Sequence, residues 1–135
     1  MVLPLLTYTD WGLLLARVVL GLILLAHGLP KIKNLPANAQ SFAQMGFKHA
    51  MFWGFVVAII EFVGGIFIIF GLFTQIVALL VLIQFLVAIF KVKGKMGFVR
   101  GYEFDLLIAA TALFLATQGG GVYGLDDYFG IIIYF

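Results

Sequence analysis

The sequence predicts an all-α, polytopic membrane protein: a bundle of four transmembrane helices with a short interfacial helix between the first and second. Three observations carry this. Of the 135 residues, 64% are hydrophobic and only 10% are charged, against roughly 45–50% and about 25% in a soluble domain. A chain this short cannot hide that much apolar surface in one water-soluble core, because small domains leave a large share of their surface exposed. The apolar residues also fall in continuous stretches, not in the alternation of a membrane β-barrel. An ordinary soluble enzyme, a disordered chain and a nucleic-acid-binding module are excluded. The length accommodates about four spans of roughly 20 residues each, as one membrane domain over 1–135.

The first predicted span covers 7–27 and contains Arg17. It does not read as a signal peptide: no basic segment precedes it, an arginine interrupts it, and no small-residue cleavage site leads into a polar chain. The polar segment that follows holds Pro36-Ala-Asn-Ala-Gln-Ser-Phe-Ala-Gln-Met45. Proline suits the first turn of a helix, and Phe42 and Met45 share one face, so a short helix lying in the membrane interface is predicted here.

The second span covers 51–73, with Glu61 as its single charge. Gly71-Leu-Phe-Thr-Gln75 makes a tight turn into the third span, 75–91, which carries Gln84 near its middle. A basic loop, 91–101, leads to the fourth span, 102–118, with Glu103 and Asp105 in its first turn, where the helix dipole favours acidic groups. Gly119-Gly-Gly121 ends it, and a tail with Asp126 and Asp127 follows.

Seven of the eight basic side chains fall in the loops 28–50 and 91–101. An even number of spans puts both loops on one side. The positive-inside rule makes that side cytoplasmic, with both termini outside, in a prokaryotic-type cell membrane. Trp11, Trp53, Tyr8, Tyr123 and Tyr128 lie near predicted span ends and read as interfacial anchors.

Arg17 and Glu61 are the informative charges. An isolated charge at the centre of a span costs at least about 2.5–3.5 kcal/mol on insertion scales, so it faces protein or water and finds a partner. Each lies about ten residues, or roughly 15 Å, from the basic face. A direct Arg17–Glu61 ion pair is therefore expected, either as a structural lock on helix register or as part of a polar pocket for a head group, an anion or a proton. His27, in His27-Gly-Leu-Pro-Lys31, is expected to end the first helix. It reads as a cap on free carbonyls or as a proton relay or hydrogen-bond donor to a quinone carbonyl. His27 and His49 fall at the same membrane edge and make a poor haem ligand pair. Gly64 and Gly65 permit close helix approach. Tyr102, Glu103 and Asp105 read as solvated interface groups within reach of Lys91, Lys93 or Arg100. With no cysteine, thiolate chemistry is out of reach. No metal, nucleotide or hydrolase motif occurs, so no cofactor is assigned by motif.

In order and spacing, these residues resemble the DoxX family of small four-helix membrane proteins. The matching elements are Arg17 with Gly21, His27-Gly28 with Lys31, Glu61 with Gly64-Gly65, and Gly71-Leu-Phe-Thr74. Ala88 with Lys91, Gly101-Tyr102-Glu103 and Leu125-Asp126 complete them. The family takes its name from the membrane part of a thiosulfate:quinone oxidoreductase. The resemblance implies a membrane subunit of a quinone-linked oxidoreductase or respiratory complex, with lipid and other membrane subunits as partners and quinone as a candidate ligand. Recurrent polar positions of the family map to Arg17, His27, Lys31, Glu61, Glu103 and Asp126. The expected lining of a quinone or anion site is Arg17, His27, Lys31 and Glu61, with Arg17 or Lys31 holding an anion and Glu61 and His27 as the catalytic candidates that move protons. The alternative is an accessory assembly subunit without a site, whose glycine-rich face packs on another membrane protein.

Overall fold

Apolar stretches of the lengths seen here become helices because lipid satisfies no backbone hydrogen bond, so each segment must satisfy its own. A computed structural model describes residues 4–133, which are helical and contain no strand among the described residues. The principal helices are α1 (Thr9–Lys33), α2 (Leu35–Gln44), α3 (Ala50–Phe70), α4 (Thr74–Val87), α5 (Glu103–Gln118) and α6 (Leu125–Phe129). A 3-10 turn, Pro4–Tyr8, precedes α1, and α4 runs on through a wider π-type turn, Ala88–Lys93, and a 3-10 turn to Met96. Three helical runs, Pro4–Lys33, Ala50–Phe70 and Thr74–Met96, are long and apolar enough to cross a membrane. α5, with 16 residues, reaches about 24 Å at 1.5 Å per residue.

The helices pack as a ring. α1 lies along α3, α3 against α4, and α4 along α5, while a slighter contact between α5 and α1 closes the circuit. Each inward face has the three-to-four residue spacing of a helical stripe: Leu13, Arg17, Leu20, Leu24 and Gly28 on α1; Gly54, Ala58, Glu61, Gly65 and Ile68 on α3. The apolar core joins Leu20 and Leu24 to Ile68, Val81, Ile108, Ala112 and Leu115. The α1–α3 seam is set by glycine. A Cβ on Gly28 would stand 2.5 Å from the Phe62 amide nitrogen, and one on Gly21 would stand 2.7 Å from the Gly65 carbonyl oxygen. Only backbones without side chains approach so closely.

α1 differs from its expected end at His27. It continues through Pro30 to Lys33. Proline removes one hydrogen bond and disturbs the turn before it, but the seam supplies compensating contacts: Gly28 is locked on α3, and Lys31 meets Glu61. Asn34 then starts α2, its side-chain oxygen accepting from the Ala37 N–H at 3.2 Å, a standard N-terminal cap. Asn38 on α2 donates to the Gly54 carbonyl at 2.7 Å, which ties α2 to the start of α3.

At the other end of the ring α3 stops at Gly71, whose φ of +67° places it in the left-handed region. The Leu72 N–H bonds to the Phe67 carbonyl at 2.8 Å and the Gly71 N–H to the Ile68 carbonyl, the paired closure that satisfies a helix C-terminus. Phe73 is also left-handed, at φ +48°, a conformation that costs a non-glycine residue energy and needs outside support. Asp126 gives it. Its carboxylate accepts the Phe73 N–H at 2.6 Å and the Thr74 N–H at 2.8 Å, at the positive end of α4.

Candidate functional site

The polar side chains of the helices collect at two opposite ends of the ring. They do so because the α1–α3 register differs from the one depth alone suggests. Gly28 faces Glu61, and Gly71 faces Arg17. Along this antiparallel seam Arg17 and Glu61 are therefore offset by about eleven residues, or about 16 Å. The expected Arg17–Glu61 ion pair does not form. Equal depth requires α1 to end at His27 directly opposite the start of α3; α1 instead runs a turn and a half further, to Lys33, which accounts for about half of the offset.

Arg17 sits in a closed latch. It is 2% exposed. Its guanidinium donates to the Gly120 carbonyl, and to the Tyr123 carbonyl at 3.0 Å. A Cβ on Gly124 would lie 2.7 Å from Arg17 Nη1, so the loop after α5 folds down directly onto the arginine. With Asp126 on Phe73 and Thr74, this latch binds the C-terminal segment to both α1 and the α3–α4 turn. Trp11 and Tyr123 pack against each other there in a tilted pair, with ring centroids 4.9 Å apart. Arg17 is not part of the wall of the cavity at the other end.

The other end is open inside. A cavity of about 580 Å³ lies between the α1–α3 pair and the α4–α5 pair, with α2 along one side. Its walls are largely apolar and aromatic, with Phe42, Phe47, Trp53, Ile83 and Phe104 among them. A volume in this range, apolar walls and a few converging polar groups are the marks of a small-molecule site. The central polar group is Glu61, 2% exposed. Lys31 Nζ donates to both its oxygens, at 2.7 and 2.6 Å, and Gln84 Nε2 donates to Oε1 at 2.7 Å. Lys93 and Asp105 form a second pair at 2.7 Å, the carboxylate 5% exposed. His27 lines the wall, its ring 6.1 Å from that of Phe104.

The basic and acidic groups of the cavity thus neutralise one another in pairs, and its lining presents no net charge. Lys31 is committed to a carboxylate, so the lining offers no free cation for an anionic ligand. Of the residues the sequence singles out, His27, Lys31 and Glu61 come together; Arg17 does not join them. Sequence reasoning missed three members. Gln84 was visible as a lone amide in an apolar span. Asp105 reads as a solvated group with Lys93 only one of three cations within reach; the return of α5 onto α4 buries the carboxylate and selects Lys93. Glu103 remains at the surface, accepting the Arg100 N–H at 3.0 Å. Among the described residues no group of three or more His, Asp or Glu is placed to hold a metal ion.

Helices of membrane-crossing length around a neutral, polar-floored cavity define a small helical membrane protein with an internal cavity. Comparison with known proteins places it more closely. The DoxX family profile matches residues 12–94, from the first turn of α1 through the π-type turn after α4, and the chain belongs to the DoxX family. It is 38% identical over 117 residues to a Bacillus subtilis (strain 168) protein named "Putative oxidoreductase CatD", covering 87% of this chain and 86% of that one. It is 28% identical over 129 residues to an uncharacterized protein of Haemophilus influenzae, covering 90% and 93% of the two chains. No solved structure gives a significant match.

Proposed function

We propose that the protein is a membrane subunit of a quinone-linked oxidoreductase or respiratory assembly, and that the cavity beside Glu61 holds the quinone ring. The supporting observation is the Lys31–Glu61–Gln84 cluster at the wall of a neutral, aromatic-lined cavity. An uncharged flat ring suits such walls, and polar groups at one wall orient its oxygens. The name of the Bacillus relative, an oxidoreductase, points the same way. In this reading Lys31 and His27 donate to a ring oxygen, and Glu61 and His27 carry protons between the ring and the basic side of the membrane. Glycines 21, 28, 64 and 65 pack within the chain, which leaves the alternative of a siteless assembly subunit without the free glycine face it needs.

The same reading makes α5 a fourth, shorter span, lays α2 in the interface, and puts the loops 28–50 and 91–101 in the cytoplasm with both termini outside. Two of the loop cations, Lys31 and Lys93, then have a second role at the cavity, and the remainder set orientation.

Two measurements test the function. Extraction in mild detergent, followed by chromatography of the organic extract, is expected to recover quinone at near one per chain. Val57→Trp, which fills the cavity wall, is expected to abolish the recovery without loss of the folded protein. Glu61→Gln is expected to lower quinone turnover in membranes at least tenfold with assembly intact. Unchanged turnover removes Glu61 from the chemistry, and equal quinone recovery from the Val57→Trp variant removes the cavity.

A further inference from the structure

The hydrogen-bonding valences around Glu61 are unevenly filled. Gln84 directs its Nε2 at the carboxylate, an orientation dictated by chemistry, since an ionised carboxylate only accepts. Its Oε1 is then buried with no donor among the described residues. A buried acceptor left without a donor is costly. Glu61 itself takes three of about four hydrogen bonds that a carboxylate can accept. Lys31 Nζ uses two of its N–H groups on Glu61, which leaves one. Gln84 Nε2 likewise uses one of its two N–H groups on Glu61, so the cluster has two unfilled acceptor positions and two spare donors.

A quinone carbonyl only accepts, so it answers the spare donors and leaves both acceptor positions unfilled. A quinol hydroxyl both donates and accepts. It takes the Lys31 hydrogen and gives its own to Gln84 Oε1 or to the fourth position on Glu61. Gln84 lines the cavity, and the terminal torsion of a glutamine is broad, so a small turn of the amide presents Oε1 to a ring hydroxyl. We infer that the cavity is selective for the reduced, dihydroxy form of its ring ligand, with Gln84 as the residue that sets the preference. This rests on the reading of the cavity as a quinone site. One added hydrogen bond corresponds to about five- to tenfold in affinity. A tenfold preference for the reduced form raises the two-electron potential of the bound pair by about 30 mV.

The test uses the full chain in nanodiscs under argon, titrated calorimetrically with three water-soluble probes. These are 2,3-dimethoxy-5-methyl-1,4-benzoquinone, its hydroquinone, and the dimethyl ether of that hydroquinone. The hydroquinone is expected to bind five- to tenfold tighter than the other two. Gln84→Met, of similar volume and with no oxygen, is expected to bring all three within twofold. Equal affinity of hydroquinone and dimethyl ether for the unaltered protein overturns the inference without any variant, and so does a hydroquinone preference that survives Gln84→Met. If none of the three probes binds, the quinone reading of the cavity fails as well. If all bind equally, only the selectivity fails.

Discussion

Asp126 holds the C-terminal latch together, and its removal is expected to be among the most destabilising single changes in the chain. Its carboxylate is 7% exposed and accepts two backbone N–H groups, those of Phe73 and Thr74. Its own N–H donates to the Gly71 carbonyl at 2.8 Å, but alanine keeps that bond. A hydrogen bond to a charged group contributes about 1.5–3 kcal/mol. Asp126→Ala removes two and leaves both N–H groups buried at the start of α4, so the loss approaches about 3–6 kcal/mol before relaxation. Water reaching the freed groups at the membrane edge offsets part of this, and we expect a net loss of about 3 kcal/mol or more. Asp126→Asn keeps one acceptor and should fall near half that loss. Phe73 also loses the contact that supports its left-handed backbone, so the effect should spread to the α3–α4 turn. The assay is reversible unfolding in mixed detergent micelles followed by circular dichroism. In a Trp53→Phe background, Trp11 fluorescence reports the latch through its contact with Tyr123. An Asp126→Ala protein within about 0.5 kcal/mol of its parent, the range of ordinary surface substitutions, with unchanged Trp11 emission, would refute the reasoning.

Three further outcomes follow from the same geometry. Gly28→Ala puts a methyl group against the α3 backbone, 2.5 Å from the Phe62 nitrogen. It should cost about 1–3 kcal/mol, the usual penalty of overpacking, measured by the same unfolding assay, whereas Gly12→Ala, in open space, should be neutral. Lys31→Met strands the Glu61 carboxylate with Gln84 alone. Breaking a buried pair costs about 3–5 kcal/mol, and because the lysine is 29% exposed the lower end is expected. Lys31→Met combined with Glu61→Gln should recover most of the loss, and a double-mutant cycle showing no coupling would rule the pair out. Since the chain has no cysteine, single cysteines report sidedness directly. Lys48→Cys and Lys95→Cys should react with a membrane-impermeant thiol reagent only from the cytoplasmic side and Tyr128→Cys only from the other; labelling of Lys48→Cys and Lys95→Cys from opposite sides would contradict the four-span arrangement.

Much of the architecture was legible residue by residue. Continuous apolar runs must become helices in lipid, and glycine at 71 and 119 stops them. The helix starts at Ala50, Thr74 and Glu103 fall within a residue of those expected. His27, Lys31 and Glu61 were identifiable because a polar group in an apolar span needs a partner. The partner itself was not identifiable from the sequence. The first helix is expected to end at His27, yet α1 continues through Pro30 because Gly28 and Lys31 are held from α3, the Lys31–Glu61 contact joining residues thirty positions apart.

By itself, then, the sequence determined which segments are helical, that they belong in a membrane, and which charges must be neutralised within it. These follow from hydropathy and local backbone rules, which act over a few residues. Only the tertiary structure decided that Glu61 meets Lys31 and Gln84 while Arg17 meets Gly120 and Tyr123. Pairing depends on the sliding register of one helix along another, which is fixed by close glycine contacts along the whole seam. A shift of three turns moves a charge from one partner to another about 16 Å away, and no local pattern records that shift.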